Sequence, residues 1–395
     1  MFEDLRARPI DPLLDIIRQF REDSRAAKLD LGVGVFQDES GRTPILNTVK
    51  KAEAHLLETQ ETKTYLGADG DREFAEAVAE LVLGDLAQRV NRVTLQAPGG
   101  TGALRLGAEL IRLAKPDAQV WLGRPTWPNH EPIFKAAGPA IRDYRHFDVA
   151  TQTLCFDELI SAMESAKRGD VFVLHASCHN PTGADFSADQ WQEIANLCAS
   201  LGLVPFLDFA YQGLGNGLDE DAAGARLLIA QVPEALMATS CSKNFGLYRE
   251  RTGALFVFAP NAERIDAIRS NLFGIARANY SMPPDHGAAI VRTILHDAAL
   301  RAEWMREVAE MQRQLRAVRT NLANMRINSL DLSALAGQNG MFATLPLTPA
   351  QIGRLKQEHA IYMVPSGRLN IAGLLATDLD SFGQALRDVL TDAAA

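Results

Sequence analysis

The chain predicts an α/β protein with a mainly parallel central sheet flanked by helices and a smaller α+β unit attached. Three observations carry that expectation. Apolar runs at 93–97, 120–123, 171–176, 203–209, 236–240 and 255–258 are interleaved with helical segments, the pattern of strands joined by crossover helices. The stretch 298–325 contains neither proline nor glycine and reads as one long helix. Beyond it, short strands and a helix recur on a smaller scale.

Size and charge bound the function. A chain of 395 residues can bury a large core and is expected to divide in two. With 40 basic against 49 acidic side chains the net charge is -9, which argues against a nucleic-acid partner. No run reaches membrane-spanning length, and the charged first twenty residues do not read as a signal peptide. Four scattered cysteines, Cys155, Cys178, Cys198 and Cys241, fit neither a disulfide framework nor a metal site. Free thiols and a cytoplasmic location are expected.

Taken in order, Pro9 and Pro12 break the opening, and Leu13, Leu14, Ile16, Ile17 and Phe20 follow at helical spacing. The alternation at 31–36 reads as a short strand whose Gly32 and Gly34 allow close approach to the backbone. It is no dinucleotide fingerprint, because Gln37 stands where the third glycine belongs. Helices are predicted over 44–57 and 72–83, separated by a turn-rich loop that holds Tyr65. Another helix is expected from Ala103, and one over 188–200 with Ser187 as N-cap, Gln190 completing a capping box and Gly202 beyond its end. In the long helix Trp304, Val308, Met311, Leu315, Val318 and Leu322 alternate spacings of four and three, read as core packing of a connector. Strands near 340–345, 361–364 and 368–372 and a helix near 349–359 complete the smaller unit. The expected division is an N-terminal arm and part of the smaller domain over 1–43, a large domain over 44–297, the connecting helix over 298–325, and the rest of the smaller domain over 326–395. Only the tail 392–395 is of low complexity.

The chemistry gathers where parallel strands end, the place at which open α/β sheets bind ligands. After 93–97 comes Pro98-Gly99-Gly100-Thr101-Gly102, a turn whose N–H groups can approach an anion at the next helix, or a bare glycine turn. After 171–176 stands Asn180, behind His179, which reads as a core or supporting histidine. Asp208 ends an apolar strand, where a carboxylate needs a salt bridge or a ligand's protonated nitrogen, and Tyr211 follows it. After 236–240 comes Ser240-Cys241-Ser242-Lys243, with Arg251 eight residues later and Arg249 read as a surface residue. A lysine walled by apolar residues loses its proton more easily and can form a Schiff base. An anion cradle, a buried carboxylate, a tyrosine and such a lysine suit a phosphorylated, nitrogen-containing aldehyde, namely pyridoxal 5'-phosphate.

Five motifs in sequence then resemble one family: Thr126-Trp127-Pro128-Asn129-His130, His179-Asn180-Pro181-Thr182-Gly183, Asp208-Phe209-Ala210-Tyr211-Gln212-Gly213, Ser240 to Gly246 with Arg251, and Ser366-Gly367-Arg368. They look like the class I aspartate and aromatic aminotransferases of fold type I, closest to the bacterial aromatic members, along nearly the whole chain. The resemblance implies that Lys243 tethers pyridoxal phosphate and shuttles the proton at the substrate's α carbon. It implies that Asp208, backed by His130, pairs with the ring nitrogen, and that Tyr211 and Asn180 hold the phenolic oxygen. Gly100, Thr101, Ser240 and Arg251 would hold the phosphate, joined by Tyr65 of a neighbouring subunit, and Trp127 would stack on the ring. Arg368, with Trp127, Asn180 and the Gly34 backbone, would take the substrate α-carboxylate. Arg277 would reach a side-chain carboxylate across a homodimer interface.

Two departures bear on the substrate. Phe36 and Met282 stand where aspartate-specific members commonly have Tyr and Asn. Losing those polar groups is expected to loosen the surroundings of Arg277 and to favour apolar side chains. The expected activity is ping-pong transfer of the amino group of tyrosine, phenylalanine or aspartate to 2-oxoglutarate. A strict aspartate aminotransferase is the nearest alternative. A serine hydrolase using Ser240 and Lys243 as an SxxK pair, and a non-catalytic binding protein of the same fold, are the remote ones.

Overall fold

The structure, a computed structural model, describes residues 1–7, 12–327 and 330–391. Pro9 and the tail 392–395 lie outside these residues.

Seven strands form the central sheet: β1 (Arg92–Pro98), β2 (Gln119–Arg124), β3 (Ala140–Arg145), β4 (Val171–His175), β5 (Val204–Phe209), β6 (Ala235–Ser240) and β7 (Thr252–Phe258). Their order across the sheet is β1-β7-β6-β5-β4-β2-β3. The ladder from β3 to β6 is parallel, and β7 runs antiparallel to both β6 and β1. The inner strands β4, β6 and β7 are buried along their whole length, which is why they read as unbroken apolar runs. The edge strand β3 was not foreseen: Arg142, Asp143 and Arg145 face outward and interrupt its hydrophobic pattern.

Helices cover the sheet on both sides. The helix Ala188–Leu201 starts at the Ser187–Gln190 capping box and stops at Gly202, whose φ of 67° places it in the left-handed region. The helix Arg72–Leu83 matches its predicted bounds, its Asp71 side chain capping the Phe74 N–H. The helix predicted over 44–57 instead runs Asn47–Thr59, leaving Pro44 ahead of it. The long helix Ala298–Ala323 buries Trp304, Val308, Met311, Leu315, Val318 and Leu322. Trp304 stacks on Phe245 with ring centroids 4.4 Å apart and donates its indole N–H to the Asn244 carbonyl at 2.8 Å. The long helix is thereby joined to the residue next to Lys243.

Two expectations are corrected. The strand read over 31–36 does not form; the strand lies just before it, at Leu29–Asp30, paired in parallel with Ile361–Tyr362. The Asp30 carboxylate accepts the Gly32 and Val33 N–H groups and turns the chain out of the sheet. The Asn370 amide then takes the Val33 and Val35 carbonyls, so 31–36 is a braced loop. The glycine turn at 98–102 is the first turn of the helix Gly99–Ala114, which begins four residues before Ala103. Elsewhere, Phe342–Thr344 pairs antiparallel with Arg368–Asn370, with Thr344 opposite Arg368. The helix Pro349–His359 carries a Thr348–Gln351 capping box.

Candidate active site

The carboxyl ends of β4, β5 and β6 and the N-terminus of the helix Gly99–Ala114 open onto one cleft of about 220 Å³. Gly34, Gly100, Thr101, Trp127, Asn180, Asp208, Tyr211, Ser240, Lys243 and Arg251 all line it. These residues are spread over more than two hundred positions of sequence; the parallel sheet brings them together by ending its strands on one side.

Asp208 closes β5 beside His175 of β4 and Ala238 of β6. His130 Nε2 lies 2.9 Å from Asp208 Oδ2, and His130 Nδ1 lies 2.8 Å from Thr126 Oγ1. Burial alone would raise the pKa of Asp208. The His130 hydrogen bond and the fields of His175 and Lys243 outweigh burial and hold it below its ordinary value, as an anion. His175, not singled out in the sequence, lies buried behind this pair, and burial pushes it down to about 3. His179 stacks on towards His146, with centroids 4.1 Å apart, and bonds Thr182 rather than facing the cleft.

Lys243 follows β6 in the turn 241–246. Burial pushes its amine down to about 8 although the Asp208 charge works the other way, with Arg251 adding to the fall. Its Nζ lies 4.8 Å from the centre of the Tyr211 ring. The Tyr211 hydroxyl accepts from Asn180 Nδ2 at 3.1 Å, and burial raises its pKa. Cys241 is buried, with its thiol pushed up to about 12, an inert packing residue.

The helix Gly99–Ala114 has Pro98 at its N-cap and no side chain capping its first N–H groups. Gly253 lets that N-terminus approach: a Cβ there would lie 2.4 Å from the Thr239 carbonyl and 2.8 Å from the Gly99 carbonyl carbon. Gly100 and Ser240 thus meet, and Arg251 packs against Gly99 while donating to the Tyr248 carbonyl at 3.1 Å. Tyr248 also lines the cleft, and its hydroxyl accepts the Phe36 N–H at 2.9 Å. Neither Tyr248 nor Phe342 was named as a site residue from the sequence, because each acts through contacts to distant segments.

Arg368 is buried beside this cleft. It donates to the Gly32 carbonyl at 2.6 Å, and its guanidinium carbon lies 4.8 Å from the centre of the Phe342 ring.

A profile for aminotransferase class I and II matches residues 26–386. The chain belongs to that family. It is 54% identical over 376 residues to a tyrosine aminotransferase of Rhizobium meliloti, covering 95% of this chain and 96% of that one. It is 44% identical over 396 residues to an aspartate aminotransferase of Salmonella typhi, covering 99% of this chain and 100% of that one. Its fold superposes on an aromatic-amino-acid aminotransferase of Burkholderia pseudomallei, solved covalently bound to pyridoxal phosphate, with a TM-score of 0.95 and 38% identity, covering 99% and 100% of the two chains. The α/β architecture is that of the fold type I enzymes, and an aminotransferase of this family works with pyridoxal phosphate.

The residues present fit that cofactor. The uncapped helix N-terminus, with Ser240 and Arg251 beside it, is a donor set for a phosphate. The anionic Asp208 suits a protonated ring nitrogen, and the Tyr211 hydroxyl, which accepts from Asn180, keeps its own O–H to donate to the phenolic oxygen. An amine that titrates near 8 suits addition to an aldehyde.

Three predicted residues do not line the cleft of this aminotransferase chain: Arg368 is buried beside it, and Tyr65 and Arg277 are not brought to it. Tyr65 is 90% exposed. Arg277, at the exposed end of the helix Ile265–Asn279, donates to the Ser281 hydroxyl. The surroundings of Arg277 differ from expectation in one respect: it is held by Ser281, while Met282 turns its sulfur to the Leu66 N–H at 3.1 Å.

Proposed function

We propose that this aminotransferase moves the amino group of tyrosine, phenylalanine or aspartate to 2-oxoglutarate in two half-reactions at the one cleft. The convergence of a low-pKa lysine and a histidine-backed carboxylate on one cavity carries the reading. Names of relatives at 54% and 44% identity support both aromatic and acidic substrates.

When bound, pyridoxal phosphate supplies an electron sink for the bond broken at the substrate's α carbon. The chain's own residues do the rest. Lys243 tethers the cofactor and, once displaced, accepts and returns the α-carbon proton at Nζ, for which a lowered pKa suits it. Asp208, oriented by His130, holds a proton on the ring nitrogen. Asn180 and Tyr211 hold the phenolic oxygen, and Trp127 covers the ring. Gly100, Thr101, Ser240 and Arg251 anchor the phosphate. Arg368 receives the α-carboxylate in its planar fork, assisted by Asn180, Trp127 and the Gly34 backbone.

Tyr65 and Arg277 fit this scheme as contributions from a partner subunit, Tyr65 to the phosphate and Arg277 to a side-chain carboxylate. The working form is then a homodimer with shared sites. The expected division at 1–43, 44–297, 298–325 and 326–395 puts Gly34 and Arg368 on the smaller domain and Lys243 on the larger, so closure of one on the other completes the clamp. Among the described residues no helix is long and apolar enough to cross a membrane. That and the free cysteines support a place in the cytoplasm.

Phe36 is buried at 4% exposure and Met282 is occupied with Leu66, so neither offers Arg277 a polar partner. This favours the aromatic reading over strict aspartate specificity. A panel of amino donors with 2-oxoglutarate tests it: phenylalanine and tyrosine are expected to turn over at rates comparable to aspartate. Negligible phenylalanine turnover would leave only the aspartate enzyme.

A further inference from the structure

Arg319 lies within the long helix Ala298–Ala323, is only 1% exposed, and has no place in the cleft. A buried guanidinium normally meets a carboxylate. This one meets carbonyls: Nε and Nη2 donate to Gly340 at 3.1 and 2.9 Å, and Nη2 also donates to Asn339 at 2.8 Å and to Phe342. Burial pushes its pKa down to about 10, while the charge of the nearby Asp185 carboxylate works the other way.

One of these carbonyls belongs to a residue that reaches the side chains of the cleft. Phe342 presents its ring to the Arg368 guanidinium and makes a T-shaped contact with the Tyr211 ring, with centroids 5.9 Å apart. On the other side Arg319 abuts Gly183, in the loop that carries Asn180. Gly183 has φ 74°, and a Cβ there would lie 2.7 Å from Arg319 Nη2 and 2.7 Å from the Phe342 carbonyl. The Gly183 carbonyl accepts the Asn339 N–H at 2.7 Å, and the Pro181 carbonyl accepts the Thr344 hydroxyl at 3.0 Å. The loop 179–183 and the strand Phe342–Thr344 are thus pinned together at one guanidinium.

We infer that Arg319 is a positioning residue for substrate: by gathering the 339–342 carbonyls against Gly183 it sets the spacing between Asn180 and the Phe342 ring that seats Arg368. This rests on the reading of Arg368 as the α-carboxylate receptor. Nε and Nη2 of one rigid plane serve the three convergent carbonyls while Nη1 is buried with no hydrogen-bond partner among the described residues, and the ammonium of a lysine cannot hold the three in that flat arrangement.

The test uses the holoenzyme with R319K, R319M and, in parallel, R368K. For each, KM and kcat are measured for phenylalanine and 2-oxoglutarate, the dissociation constant for 3-phenylpropionate is taken as a carboxylate without an amino group, and the visible absorption spectrum is recorded. R319M is expected to raise both KM values and the 3-phenylpropionate constant by about 10- to 100-fold, the scale of a misplacement near 1 Å, with kcat and the spectrum altered much less. R319K is expected to fall between R319M and the parent. If R319M does not fold, R319K decides alone. KM values within about twofold of the parent, whatever the melting temperature, would overturn the inference. Raised KM in R368K together with parental KM in R319K overturns it while leaving the carboxylate reading standing. Parental KM in R368K removes that reading itself.

Discussion

The two ends of the proposed substrate site are built differently. Around Lys243 and Asp208 the central side chains, Asn180, Asp208, Tyr211, Ser240 and Lys243, stand at the end of a buried parallel strand or in the turn that follows, and Asp208 and Tyr211 each have a fixed partner. Around Arg277 the groups are exposed or half-buried and belong to a helix end and a loop: Arg277 is held by Ser281 four residues on, and Met282 by the distant Leu66 N–H. A strand end fixes a side chain through contacts on both flanks, while a helix end fixes it through its own turn alone. The first region is suited to chemistry that tolerates no misplacement, and the second to a contact that changes with the substrate.

Lys243→Ala puts the heaviest demand on that contrast. It is expected to lower turnover by about 10⁴-fold or more with every donor, because tether and proton acceptor are lost together, while cofactor remains bound through its other contacts. Single-turnover absorbance with phenylalanine and with aspartate measures this; undiminished turnover removes Lys243 from the mechanism. Asp208→Asn keeps the shape but removes the charge. Turnover is expected to fall by about 10²- to 10³-fold, equally for aromatic and acidic donors. A loss confined to one donor class would show that the strand-end region also selects substrates.

Arg277→Ala is expected to act on one class only. Losing a charge-assisted contact to a side-chain carboxylate should reduce kcat/KM for aspartate by about 30- to 100-fold and leave phenylalanine within about threefold. Equal losses for both donors would mean that Arg277 is structural. Mixing Arg277→Ala with Lys243→Ala subunits gives a sharper form of the test. Of the two sites in a mixed dimer, one would combine intact Lys243 with intact Arg277, so aspartate activity should reappear.

The same contrast explains what could be read from the sequence. Lys243, Asp208, Asn180, Tyr211 and Ser240, which the structure brings to one cleft, were legible because a strand end leaves a local sign, an apolar run closed by polar residues. The Ser187–Gln190 capping box was legible for the same local reason. The start of the helix Gly99–Ala114 was not: three of its first four residues are glycines of low helix propensity, and it forms where the Gly253 backbone leaves room. The alternation at 31–36 imitated a strand, but Asn370, over three hundred residues away, takes the carbonyls that a neighbouring strand would have used. Arg319 gave no sign at all, because the carbonyls it gathers acquire meaning only from the Phe342 ring beside Arg368.

The smallest effect separates the two regions by stability alone. In cofactor-free protein Lys243 has a folded-state pKa of about 8 against an ordinary 10.5. Between those values the unfolded chain binds more protons than the folded one, so the contribution of Lys243 to stability rises with pH across that window and is at its least favourable below about pH 8. Lys243→Met removes the burial of a charged amine. It is therefore expected to stabilise the cofactor-free protein at pH 7 by about 1–2 kcal/mol, less than the full shift implies because the amine still faces an open cleft. That advantage should fade as the pH approaches 10.5. Urea unfolding of the two proteins at pH 7, 8.5 and 10 checks it. Arg277→Met, at an exposed helix end, should show no such trend, and a gain for Lys243→Met that is constant across pH would assign the effect to packing rather than to the proton.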